Sequence, residues 1–447
     1  MDRAGLSRWV RRWQVRFPGL VAGGLCVVAA LAAAAAPTPP GGPVTRFGGD
    51  LFGVDAASPS AAWAVGDTEL NHHSATVLLH WDGKSWTRAA GPLPGTLWAV
   101  KALSPANAWA AGDLETATTF ETLVLHWNGA TWRRVASPSP GPPPLADDLY
   151  GVDAVSPANL WAVGDLINNG PGPIFKTLVL HWNGTTWRRV ASPSPGPPPV
   201  ADDLYSVDAV SPANVWAVGD LINNGPGPTF KTLVLHWNGT KWARVASPNP
   251  SRQWDSLSGV SVISRNDAWA VGNSAKGGDA SQNLILHWNG RAWTQVASPD
   301  TGDSSLDKVA AVSPIDVWAV GETVSRTDLH KTLVLHWNGI RWARVPSPNP
   351  SPSDSELSGV SALSSSDVWA DGVFFDNQGH AKTLILHWNG TRWSRVPSPS
   401  PAGLLGSNLV ALSALAPGNV WAVGNVLERG NDQTLVLHWN GTSWARS

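Results

Sequence analysis

Two stretches decide the fold: Leu160-Trp161-Ala162-Val163-Gly164, and then Thr177-Leu178-Val179-Leu180-His181-Trp182-Asn183-Gly184-Thr185-Thr186-Trp187. The first is short, apolar and β-branched, with a glycine at its end. The second is an apolar run stopped by Asn-Gly, the strongest short hairpin signal. Neither has a helical period. Both recur. Trp-Ala-x-Gly is repeated at Trp63, Trp109, Trp161, Trp216, Trp269, Trp318, Trp369 and Trp421. His-Trp-(Asn/Asp)-Gly is repeated at Trp81, Trp127, Trp182, Trp237, Trp288, Trp337, Trp388 and Trp439. A third tryptophan follows five residues later, from Trp86 to Trp444. There are eight units, 46 to 55 residues apart. Units three and four are nearly identical, as after a duplication.

Within unit three the residues predict four strands. Leu149 to Ser156 is the first, and Pro157-Ala158-Asn159 turns the chain. Leu160 to Gly164 is the second, and Asp165 to Phe175 reads as a loop. Thr177 to Trp182 is the third, and Thr185 to Ala191 the fourth, ended by Ser192-Pro193-Ser194-Pro195. Four short strands in a unit of about 50 residues is the arithmetic of a propeller blade. The fold class is therefore all-β, a β-propeller of eight four-stranded antiparallel blades, with seven blades the lesser alternative. The small residues of the first strand suit the crowded inner edge, and the tryptophans fall on the three outer strands. Blades are contiguous in sequence, so the pattern shows no strand-exchange closure.

Composition agrees. The chain has 447 residues with 28 Trp, 8 Phe and 2 Tyr, and only 14% charged residues. Three tryptophans in each of eight units account for 24; the others are Trp9, Trp13, Trp98 and Trp254. Sheets buried on both faces explain the low charge. A formal net charge of −2 speaks against a nucleic-acid partner. The single cysteine, Cys26, excludes an internal disulfide and a cysteine-based metal centre.

Residues 1–17 carry five Arg, and an apolar run follows from Leu20 to Ala36. Residues 1–36 read as a signal peptide or signal anchor, 37–50 as a Pro/Gly-rich linker, and 51–447 as the propeller. The bulk is expected to be secreted or on the cell surface, touching a membrane only through an uncleaved anchor. Cleavage would remove five Arg and one Asp and leave a formal charge of −6.

The repeat resembles the Trp-rich repeats of secreted bacterial propellers, and it is similar in style to kelch and Asp-box propellers. The Asp-box pattern needs one residue between its Asp and Gly, whereas Asp82-Gly83 and Asn183-Gly184 are adjacent. The kelch Gly-Gly pair is missing too. The resemblance covers 51–447 and implies a fold; propellers host many activities.

Most polar residues follow the repeat, which argues for structural roles. The eight motif histidines, His80 to His438, lie far apart around a wheel and read as hydrogen-bonded groups between blades. Seven arginines, Arg88, Arg134, Arg189, Arg244, Arg344, Arg395 and Arg446, read as stacking over tryptophan. The Asn-Gly-Thr sequons at Asn183, Asn238, Asn389 and Asn440 are explained by the turn. No His-Glu-x-x-His or Gly-x-Ser-x-Gly motif exists, so no catalytic residue is nominated. A carboxylate pair drawn from different loops stays open. Acidic loops at Gly277 to Gln282, Asp376 to His380 and Glu428 to Gln433 offer oxygen ligands for calcium, without a known spacing. No other cofactor is implied, and His72-His73 is a weaker metal hint.

Loops joining second to third strands, and one blade to the next, share one face of a propeller, and here they are long and varied. Such a face on a rigid scaffold marks a binding surface. The nominated ligand-binding residues are Trp98, Trp254, Asn168, Asn223, Asp279, Asp376 and Asn431. The expectation is a monomeric recognition or scaffolding module that binds a protein or carbohydrate. A glycan-binding lectin is the alternative, and a polysaccharide-cleaving enzyme comes third.

Overall fold

The computed structural model describes residues 47–447 apart from 71, 90, 141–144, 170–172, 196–199, 224–228, 278–279, 300 and 429–431. The proposed signal and most of the linker lie outside the described residues. The described residues form 32 strands and no helix. They fall into eight blades of four antiparallel strands, each ordered first to fourth from the inside outward. In blade 3 the strands are Leu145–Ser156, Asn159–Asn169, Pro173–Trp182 and Trp187–Arg189.

The second and third strands of that blade run on well beyond the predicted ends, pairing up to Asn169 with Pro173. The loop read from Asp165 to Phe175 is thus mostly hairpin. The fourth strand is correspondingly shorter, three residues in every blade. Trp182 pairs with Trp187, so Asn183 to Thr186 make a four-residue loop rather than a tight two-residue hairpin. Asn183 Oδ1 accepts the backbone N–H groups of Thr185 and Thr186, and Gly184 takes a φ of 93°. The same bonds form at Asn238, Asn389 and Asn440, so the sequon asparagines are turn formers.

Each first strand carries a β-bulge between an inward leucine and the residue two further on, as between Leu204 and Ser206. This bulge explains the glycine of Trp-Ala-x-Gly. A Cβ at Gly219 would lie 2.0 Å from the carbonyl oxygen of Asp203, and the equivalent glycines meet the same clash. Only glycine lets the second strand approach the bulged first strand so closely.

The tryptophans lie between blades. Trp216 of blade 4 is fully buried. Its ring meets Trp288 at 4.9 Å and the edge of Trp293 at 5.1 Å, both from blade 5. Trp161, Trp269, Trp318 and Trp369 repeat the arrangement with their own next blades. Offset and edge-on aromatic pairs each add about 0.5–1.5 kcal/mol beyond their area. Each third-strand indole donates its N–H to a carbonyl in its own blade's first turn, as Trp182 does to Pro157.

The ring closes by the same contact. Trp421 of blade 8 packs on Trp81 and Trp86 of blade 1, and Val423 and Val436 share a core with Leu51. Phe47 and Gly49 reach across: the Phe47 carbonyl accepts Thr434 N–H at 2.8 Å, and Gly49 N–H donates to the Asp432 carbonyl. Blade 8 is built from its own four strands, so no strand is exchanged.

Candidate functional site

The repeat histidines are part of the wall. His181 stacks on Trp161 at 4.1 Å and donates through Nε2 to Asn159 Oδ1 at 3.0 Å. His126, His236 and His438 use Asn107, Asn214 and Asn419; His287, His336 and His387 use Asp267, Asp316 and Asp367. Burial pushes His236 down to about 4, so it is neutral at physiological pH. Blade 1 departs, because Ala61 stands where the others carry Asn or Asp. There Trp63 sits 5.2 Å from His80 and 6.4 Å from Trp127, looser than elsewhere. The expected stacking of arginine over tryptophan is corrected. Among the described residues the cation–π contact is Arg395 over Phe374 at 4.6 Å, because the tryptophan faces are already taken by the neighbouring blade.

Departures from eightfold repetition concentrate at the bulge. A bulge turns one extra residue out of the ladder. The eight such residues are Phe52, Trp98, Tyr150 and Tyr205 in blades 1 to 4, and Ser258, Asp307, Ser358 and Val410 in blades 5 to 8. They come from innermost strands, two or more residues after those strands leave the variable-loop face, and so they line the channel near that mouth. All eight are half-buried. The first four form a continuous aromatic arc. Phe52 stacks on Trp98 at 4.8 Å, Trp98 meets Tyr150 edge-on at 6.2 Å, and Tyr150 lies 6.3 Å from Tyr205.

Carboxylates stand behind the arc. Trp98 donates its indole N–H to Asp113 at 2.9 Å. Tyr150 reaches Asp148, and Tyr205 reaches Asp203 and Asp220, at 3.3–3.4 Å. Ser256 of blade 5 donates to Asp220 at 2.7 Å. Burial, reinforced by Asp165, Asp220 and Asp202, pushes Asp203 well above the carboxylate range. Burial pushes Asp220 up to about 6. The arc is thus a row of ring faces backed by acids that hold protons readily.

The opposite side of the mouth is ionic. Lys308 follows the bulge of blade 6, where the other blades have Gly, Ala or Ser. Asp371 of blade 7 replaces the Val or Ala of the other second strands, and Gly359 leaves the room it needs. Both Asp371 oxygens are buried without a hydrogen-bond partner, and burial raises its pKa to about 7. Burial lowers Lys308, which water reaches although protein surrounds it. Asp307 is pushed up to about 8 by burial and by Glu322. Glu322, His330 and Glu356 meet beside it, their ligand atoms within 4.8 Å of one another.

Of the nominated residues, Trp98 belongs to this mouth. Trp254 brackets two blades: it bridges to Phe230 of the preceding blade, and its carbonyl accepts Ala275 N–H. Asn168 and Asn223 stand on second strands, paired with Ile174 and Thr229, rather than in loops, because the hairpins run long. Asp376 caps its own turn, accepting Gln378 and His380 N–H, with Lys382 at 3.5 Å. Asp279 and Asn431 lie outside the described residues. The weaker pair splits: His73 bonds Glu115 and His72 faces Glu69. Sequence reasoning missed Phe52, Tyr150 and Tyr205. Their common offset, one residue past the inward leucine, was the available signal.

No protein-family pattern matches the chain, and no curated protein resembles it in sequence. Among solved structures, the chain is similar in fold to Sqt1 from Chaetomium thermophilum. The TM-score is 0.55 at 10% identity, covering 87% of this chain and 95% of that one. Sqt1 bound to the N-terminus of the ribosomal protein L10 gives 0.52 at 11%, covering 87% and 96%. YCF48 bound to D1 peptide gives 0.45 at 13%, covering 77% and 92%. These likenesses concern the fold, and the chain is a β-propeller.

Proposed function

We propose that the protein is a recognition module that takes a basic peptide segment of a protein partner into the channel mouth on its variable-loop face. One observation carries the reading. A wall that repeats eight times has a mouth that does not, and half of that mouth is an aromatic arc backed by carboxylates. Aromatic faces attract Lys and Arg, and a cation arriving at the arc favours the ionised form of Asp220 behind it, which then adds to that attraction. Structure-specific binding needs a rigid frame and a few aromatic anchors, which this ring supplies. A propeller of similar fold, Sqt1, has been seen bound to the N-terminus of the ribosomal protein L10. The arginine-rich start and apolar run support placing the module outside the cytoplasm, with the Trp-rich secreted propellers of bacteria. It acts as a monomer.

A glycan is the second reading, favoured by the same arc, since sugar faces stack on aromatic rings and hydroxyls donate to carboxylates. A single experiment separates the two. The full chain is screened against an array of Lys/Arg-containing peptides and against a glycan array, in parallel with Trp98→Ala. The proposal expects peptide binding that weakens with salt and falls about tenfold or more in the variant. Glycan signal without peptide signal, lost in the variant, would replace it with the lectin reading. Peptide binding that survives Trp98→Ala unchanged would move the site off the arc.

A further inference from the structure

We infer that Glu322, His330 and Glu356 form a binding site for a divalent transition-metal cation, zinc being the best fit, at the junction of blades 6 and 7. This inference stands independently of the ligand proposed for the aromatic arc. Glu322 lies on the second strand of blade 6 (Asp316–Val324), and His330 begins the third (His330–Trp337). Glu356 lies on the innermost strand of blade 7 (Ser355–Ser364). His330 Nδ1 is 2.8 Å from Glu322 Oε2 and 3.8 Å from Glu356 Oε1. The His330 backbone N–H is held by Asp354 Oδ1 at 2.9 Å, which fixes the start of the strand. Ligands about 2 Å from one zinc ion sit about 3.4 Å apart in tetrahedral geometry, so the His330–Glu322 pair at 2.8 Å opens slightly while Glu356 moves in.

The eight repeats supply the control for this inference. Whatever the wall needs at a given position, the other seven blades show. At the position of Glu322 they carry Asp, Asn or Val, and at that of Glu356 they carry Asp, Asn, Ser or Thr. Where His330 stands, blades 2 to 4 have Phe120, Phe175 and Phe230. These are the only glutamates at their two repeat positions and the only histidine at its own. The neighbouring bulge residue, Asp307, departs as well. An acid at these positions is common to several blades, but two longer glutamates converging on an imidazole is a combination that the other seven units lack. One imidazole with two carboxylates suits zinc or manganese; the imidazole disfavours magnesium and calcium, which take oxygen ligands. Binding displaces the Nδ1 proton to solvent, and the ion takes that nitrogen's lone pair. Three protein ligands leave a coordination position for water or for a ligand group in the channel.

The test is calorimetric titration of the metal-stripped full chain with zinc chloride, with manganese and calcium chlorides alongside and metal analysis after dialysis. The expected result is one zinc per chain, with weaker manganese and no calcium binding. Glu322→Gln and His330→Ala should each weaken zinc about 100-fold or more. His73→Ala, at an exposed surface histidine, should leave it unchanged. Cobalt added in place of zinc should give visible absorption bands in the wild type and lose them in His330→Ala. Unfolding temperatures without metal show whether each variant is folded, and a Glu356→Gln variant serves if another is not. No stoichiometric zinc in the wild type overturns the inference. So does zinc binding that persists in folded Glu322→Gln and His330→Ala.

Discussion

The junctions between blades and the mouth of the channel are built from the same repeats and obey different rules. At a junction the residues are nearly the same eight times: a buried tryptophan, two tryptophans from the next blade, and a histidine tied to Asn or Asp. At the mouth the equivalent residues run from Phe, Trp and Tyr on one side to Ser, Asp and Val on the other. Packing tolerates little variation, because a close-packed interior has no slack. The mouth faces water, so its residues are free to differ, and the difference marks where a ligand is met. The junction of blades 1 and 2 teaches the same lesson from within the wall. Losing one side chain, with Ala61 in place of Asn or Asp, loosens both the Trp63–His80 stack and the Trp63–Trp127 contact.

Substitutions break this comparison most sharply at tryptophan. Trp216→Ala should cost about 3–5 kcal/mol, measured as a lower urea midpoint, because a large buried ring leaves a cavity. Trp98→Ala should cost about 1 kcal/mol or less, since its ring is half-buried in the mouth. Equal costs would make the arc part of the wall rather than a site.

Asp371→Val should stabilise the protein by about 1–4 kcal/mol at pH 8, because it restores the residue of six other blades and removes an unpartnered buried carboxylate. The sign with pH follows from the raised pKa of about 7. Below the ordinary carboxylate range both folded and unfolded chains hold the proton, and the residue makes no difference. As pH rises towards 7 the unfolded chain releases its proton while the folded chain keeps it, so stability falls and then levels off. The gap between variant and wild type in melting temperature should therefore be small at pH 4 and widen up to about pH 7. A gap independent of pH would show that Lys308 already neutralises Asp371. The smallest effect belongs to the histidine bridge. Asn159→Ala should cost about 0.5–1.5 kcal/mol, since it leaves His181 stacked on Trp161 but without its acceptor. A cost near that of Trp216→Ala would mean that the hydrogen bond, not the stack, holds the junction.

The wall was legible residue by residue. Trp161, Trp182 and Trp187 recur at fixed spacing, and Asn183-Gly184 stops each third strand, so four strands and eight blades follow from local chemistry. Strand ends were less legible. Asp165 to Asn169 look like loop residues by composition, yet they pair, because two long strands in register continue across polar positions when their backbones are already adjacent. The mouth was legible only at Trp98, which breaks the pattern by itself. Tyr150 and Tyr205 share with Trp98 an offset that shows only once the eight units are aligned on the inward leucine, and Asp371 and Lys308 gain their meaning from the packing of blade 6 on blade 7 that brings them together.

The sequence alone determined the ring, its blade count and the role of nearly all its tryptophan, because repetition and turn chemistry act over a few residues. Only the tertiary structure decided that Phe52, Trp98, Tyr150 and Tyr205 form one surface, that Glu322, His330 and Glu356 meet, and that Phe47 and Gly49 close the circle. Residues some 50 positions apart become neighbours there through the rotation from one blade to the next. That rotation is set by the tryptophans packed between blades, and no single repeat contains it.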